Sequence, residues 1–124
     1  MANKKFFSAV FIFLFSLCVQ AADFTGTWTA TFDTQIGQQN YTYDFKVDGS
    51  VLTGTITTPN GEATLTDGMV DGKKITFTET LKYQGQELKI TYNGEMVSDD
   101  EISFTRNVSG MADEKLTATR TKQD

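Results

Sequence analysis

Two charged residues stand where the local pattern sends apolar ones. In Ile75-Thr-Phe77-Thr-Glu79-Thr-Leu81, Glu79 shares its face with Ile75, Phe77 and Leu81. In Ile102-Ser-Phe104-Thr-Arg106, Arg106 shares its face with Ile102 and Phe104. A charge on a buried face must be paired, hydrogen-bonded or turned to internal water. Two readings follow. Glu79 and Arg106 form an ion pair that plugs the interior, or they are the polar anchor of a ligand pocket in apolar surroundings. In the second reading the Arg106 fork clamps a ligand carboxylate, or Glu79 accepts from a ligand hydroxyl. Tyr41, Tyr43 and Tyr92 fall on inward faces too, as further ligand contacts or as aromatic core filling.

Other chemistry finds little support. The chain has no His, and its one cysteine, Cys18, lies in the N-terminal apolar run. There is no Gly-x-Ser-x-Gly elbow. A glycosidase needs two carboxyls across a cleft, and Glu79 is the one acid the pattern sends inward. Asp99-Asp100-Glu101 is a single acidic turn rather than a calcium loop. The chain is therefore read as non-catalytic, with no metal site and no cofactor.

The elements that would hold these side chains are strands. Phe24, Gly26, Trp28, Ala30 and Phe32 alternate with Thr25, Thr27, Thr29 and Thr31. That period of two, with β-branched polar residues opposite apolar ones, is a half-buried strand. The pattern returns in Tyr41–Val47, Leu52–Ile56, Ala63–Leu65, Ile75–Leu81, Leu88–Tyr92, Ile102–Arg106 and Leu116–Arg120. Asp48-Gly49-Ser50, Pro59-Asn60-Gly61 and Gln84-Gly85 punctuate it as turns. Asp67-Gly68 and Asp71-Gly72 suggest a corner around Met69-Val70, and residues 33–40 and 107–113 read as connections. Eight short strands, each with one apolar face and no helix to cover it, predict an all-β, eight-stranded antiparallel up-and-down barrel; closure removes both open edges. A two-sheet sandwich is the alternative. Gly26, Ala30, Gly54, Ala63 and Ala118 are small and inward, which either leaves a void or makes room for larger neighbours.

The N-terminus predicts export. Lys4 and Lys5 precede the apolar run Phe6–Val19, and Val19-Gln20-Ala21 fits a signal-peptidase site. Residues 1–21 read as a cleaved signal peptide and 22–124 as one domain of a periplasmic or secreted protein. Of eleven basic residues, Lys4 and Lys5 leave with the signal, so nine remain against sixteen acids, a net charge of −7. That charge argues against nucleic acid or an anionic membrane as partner. A monomer is expected.

Gly26-Thr27-Trp28 on the first strand and Arg120 on the last resemble the signature of lipocalin-like (calycin) barrels. The resemblance implies that Arg120 stacks on the Trp28 indole and closes one end of the barrel. The chain is shorter than a lipocalin and lacks a disulfide; residues 33–40 are too few for the helical lid of fatty-acid-binding proteins. Along nearly the whole predicted domain, pieces such as Tyr43-Asp-Phe-Lys-Val-Asp-Gly49, Ile75-Thr-Phe-Thr-Glu79 and Thr117-Ala-Thr-Arg120 resemble a small secreted bacterial domain found alone or beside glycoside hydrolases. Two functions are expected from these readings: a binder of a small apolar or amphipathic ligand in the barrel interior, or an accessory module of carbohydrate-active proteins acting through its outer surface.

Overall fold

The computed structural model describes residues 23–121, the Tyr83 side chain excepted; the predicted signal peptide lies outside the described residues. The chain forms eight strands: β1 (Gly26–Thr34), β2 (Gly37–Asp48), β3 (Val51–Thr58), β4 (Gly61–Asp71), β5 (Lys74–Tyr83), β6 (Gln86–Ser98), β7 (Glu101–Val108) and β8 (Ala112–Arg120). Each pairs antiparallel with its sequence neighbour, and β1 pairs with β8, so the sheet closes into an up-and-down barrel. Alternation dictates the result: most apolar residues of each strand turn inward, with Val51, Met69 and Val97 left exposed, and threonines cover much of the outside.

Three strand boundaries differ from the sequence reading. The segment 33–40 is not a loop. β1 and β2 continue as a hairpin to a turn at Gln35-Ile36, with Thr34 opposite Gly37. The expected corner near Met69-Val70 is absent, because β4 runs unbroken from Gly61 to Asp71. Asp67-Gly68 forms a bulge instead, with Asp67 at φ 56° and the register slipping between Thr66 and Met69. A bulge takes up one extra residue and bends the strand without ending it. The third difference is at β8, which begins at Ala112, so the β7–β8 connection is only residues 109–111.

The two ends of the barrel are built differently. At one end Phe24 and Trp28 are fully buried, and the Trp28 indole N–H donates to the Phe24 carbonyl at 2.9 Å. Arg120 lies over the Trp28 ring at 4.3 Å, as the Gly-x-Trp and final Arg implied. It also donates to the carbonyls of Asp99, Thr25 and Asp23 at 2.8–2.9 Å. Gly26 stands at φ 137°, which strains any other residue, and a Cβ on it would lie 3.0 Å from the Arg120 guanidinium. The opposite end carries the turns β1–β2, β3–β4, β5–β6 and β7–β8 and has no such cap among the described residues.

Aromatic rings fill the middle. Phe77 and Tyr92 stack at 4.3 Å, and Tyr43, Phe45 and Phe104 surround them edge-on or tilted. Gly94 admits one of these rings. A Cβ on Gly94 would lie 2.4 Å from the Phe104 ring. Gly54, expected inward, is exposed; β3 is displaced there by an irregularity between Leu52 and Thr55, and a Cβ would collide with the Asp44 carbonyl. Gly94 therefore serves close packing in the middle of the barrel.

Candidate functional site

Above the aromatic layer, toward the open end, the inward charges meet. Glu79 comes from β5, Arg106 from β7, Tyr41 from β2 and Tyr92 from β6. Strand alternation alone delivers all four side chains to the interior. Arg106 Nη2 donates to Glu79 Oε1 at 3.2 Å and to the Tyr41 hydroxyl at 3.3 Å. Tyr41 in turn donates to Glu79 Oε2 at 3.0 Å, and Tyr92 to Glu79 Oε1 at 2.8 Å. The Tyr43 and Tyr92 hydroxyls lie 2.9 Å apart. Both oxygens of Glu79 are thus held by protein donors, which is what a fully buried carboxylate needs.

A residue missed by the sequence reading completes the cluster. Glu114 is buried, and its Oε1 accepts from Arg106 Nη1 at 2.6 Å. Treating 107–113 as a loop started the last strand too late. Counting back by two from Ala118 and Leu116 reaches Glu114, so the signal was present in the alternation. A second inward acid also removes the premise that Glu79 stands alone.

The Arg106 guanidinium is sandwiched among rings, 5.0 Å from the centre of Phe32, 5.1 Å from Tyr41 and 5.4 Å from Tyr92. Its Nε is the one buried side-chain polar atom without a hydrogen-bond partner among the described residues. Burial works to lower the Arg106 pKa; the negative charge of Glu79 beside it works the other way and favours the charged group. Burial pushes all three phenols, Tyr41, Tyr43 and Tyr92, above the ordinary tyrosine range, and the negative charge on Glu79 pushes the same way. The tyrosines are neutral hydrogen-bond donors here and not bases.

A cavity of ≈ 70 Å³ opens over this cluster. Tyr41, Arg106 and Glu114 line its polar side, and Leu81, Leu88, Ile90 and Val108 its apolar side. The exposed turn residues Gln35 and Ile36 and Asn60 of the β3–β4 turn stand at its mouth. It is well below the roughly 300 Å³ at which pockets for drug-sized ligands begin. Of the five residues read as ligand contacts, Tyr41 and Arg106 line the cavity. Glu79, Tyr43 and Tyr92 do not reach it; they position Arg106 and Tyr41 from beneath. Arg106 does not present its fork, since Nη1 and Nη2 are both engaged by protein oxygens. Among the described residues, no three His, Cys, Asp or Glu converge as metal ligands.

No protein-family model matches the chain, and no curated protein matches it. Solved structures do. The chain is similar to that of "EF1p2_mFAP2b bound to DFHBI", with 16% identity over 80% of this chain and 93% of that one, at a TM-score of 0.53. It is also similar to "a redesigned beta barrel, mFAP1, bound to DFHBI", with 21% identity over 79% and 94% of the two chains, at a TM-score of 0.45. With the first of these, at that identity, what is shared is the fold. The class defined is a closed, eight-stranded antiparallel up-and-down β-barrel, sealed at one end by Trp28 and Arg120.

Proposed function

We propose that the protein is an exported, non-catalytic binder of a small apolar or amphipathic molecule, seated at the open end of the barrel. The observation that carries this reading is the apolar cavity built directly over a buried polar cluster, with one guanidinium donor left unpartnered. Apolar walls with few fixed polar groups are the usual make-up of a small-molecule site. The cavity's size implies that a short chain or one ring enters while the remainder of the ligand lies among the turns. The fold has precedent, since the EF1p2_mFAP2b chain was solved with the small molecule DFHBI bound. Export rests on the Lys4–Ala21 pattern. A water-exposed outer wall fits it, with Thr119, Thr29, Thr42 and Thr57 opposite one another across four adjacent strands.

The test is native mass spectrometry of the purified protein after incubation with lipid and small-metabolite extracts. A discrete added mass, lost in the cavity-filling variant Leu88→Trp, is expected. A bare mass under all conditions would overturn the reading and leave the charges as a structural plug, shifting attention to the outer surface and the accessory-module alternative.

A further inference from the structure

On the reading that the cavity is a ligand site, the donor that Arg106 leaves unused specifies the ligand's head group. The Arg106 side chain is buried and lines the cavity. Its Nη1 is taken by Glu114 at 2.6 Å, and its Nη2 by Glu79 at 3.2 Å and the Tyr41 hydroxyl at 3.3 Å. The rings of Phe32, Tyr41 and Tyr92 crowd the guanidinium at 5.0–5.4 Å. What remains is Nε, buried and without a hydrogen-bond partner among the described residues. A buried donor on a charged group is costly to leave unmade, so the site is built to receive an acceptor.

The charges around Nε decide which acceptor. An ammonium head carries donors only, so it cannot satisfy Nε–H, and it would stand beside the Arg106 cation. A carboxylate accepts, but Arg106 already faces two carboxylates, Glu79 at 3.2 Å and Glu114 at 2.6 Å. One cation between two anions leaves the cluster with one negative charge in excess. A third anion would meet that excess in a low-dielectric site, where the repulsion exceeds the gain from one hydrogen bond. An uncharged oxygen accepts from Nε–H and carries neither penalty. The apolar wall of Leu81, Leu88 and Ile90 then takes the rest of the molecule.

We infer that the ligand is a small uncharged amphiphile that presents a neutral oxygen acceptor, such as a carbonyl, to Arg106 Nε–H and lays its hydrocarbon part against Leu81, Leu88 and Ile90. This revises the sequence-based expectation, in which Arg106 clamped a carboxylate. The two buried glutamates already fill that role, and the ligand's head is left neutral.

Calorimetric titration with 2-hexanone, hexanoate and hexylamine at pH 7, joined to heteronuclear NMR of the arginine Nε–H groups, tests it without altering the buried cluster. The chain has two arginines, and Arg120 Nε already donates to the Asp99 carbonyl at the sealed end, so its signal is an internal control. Saturating 2-hexanone is expected to shift the Arg106 Nε–H signal and slow its exchange with water, leaving Arg120 unmoved. Its affinity should exceed that of both charged probes by roughly tenfold or more. Leu88→Trp should abolish both the heat and the shift. Bound 2-hexanone with an unmoved Arg106 signal overturns the assignment and leaves water as the partner of Nε. Hexanoate or hexylamine binding as tightly as 2-hexanone overturns it too, while the cavity remains a ligand site. No binding of any of the three probes overturns the ligand-site reading itself, and the neutral-head assignment with it.

Discussion

Arg106 and Glu114 face each other directly across β7 and β8, and their side chains meet at 2.6 Å on the polar side of the open-end cavity. The pair ties a strand at the end of the chain to the same guanidinium that holds Glu79 from β5 and Tyr41 from β2. Four strands are thereby pinned to one side chain, at the level where the aromatic packing stops.

The first prediction concerns that guanidinium. Arg106→Met leaves Glu79 and Glu114 without their cation, so a loss of about 3–5 kcal/mol is expected from urea unfolding. Combining it with Glu79→Gln and Glu114→Gln should restore most of the loss, because no unpaired charge then remains. A cost below about 1 kcal/mol for Arg106→Met would show that the cluster contributes little to stability.

The Trp28 end has its own test. Arg120→Ala removes a cation–π stack and three hydrogen bonds to carbonyls, with an expected cost of about 2 kcal/mol given the partial exposure of the side chain. Trp28 is the only tryptophan, so its fluorescence reports on this end alone. A red-shifted emission is expected in Arg120→Ala. Lysine should not rescue it, because an ammonium cannot span three separate carbonyls as the planar fork does.

Alkaline pH should destabilise the barrel. Tyr41, Tyr43 and Tyr92 have folded pKa values raised above the unfolded value of about 10, chiefly by burial. The folded state therefore holds its phenolic protons while the unfolded state releases them. The stability these groups contribute is fully present below pH ~10 and declines as pH rises beyond it. Ultraviolet titration should show these three of the four tyrosines ionising only together with unfolding. Reversible ionisation of all four near pH ~10 in folded protein would contradict their placement.

Gly94 should resist substitution. A Cβ would press into the Phe104 ring and approach the Ile75 side chain at 2.9 Å, so Gly94→Ala is expected to cost about 1–3 kcal/mol. Phe104→Leu should lose stability alone yet relieve part of the Gly94→Ala penalty. A double-mutant cycle by thermal unfolding measures that coupling.

Alternation is a local property, so it was readable in the sequence. It favoured a closed sheet over a sandwich, turned Glu79, Arg106 and the three tyrosines inward, and placed Trp28 and Arg120 on the strands that meet. Gly-x-Trp added which end is sealed. What tertiary structure decided was height and partnership. Whether Asp67-Gly68 is a turn or a bulge depends on the strands beside it, since the local residues suit both. Whether Glu114 belongs to a loop or a strand depends on β7 pairing as far as Val108 opposite Ala112. Once both strands extend, Glu114 reaches Arg106 and turns a single ion pair into a cluster with negative charge in excess. Alternation fixes which wall a side chain leaves by, but barrel closure and register fix which side chains share a level, and on that level depends the chemistry of the site.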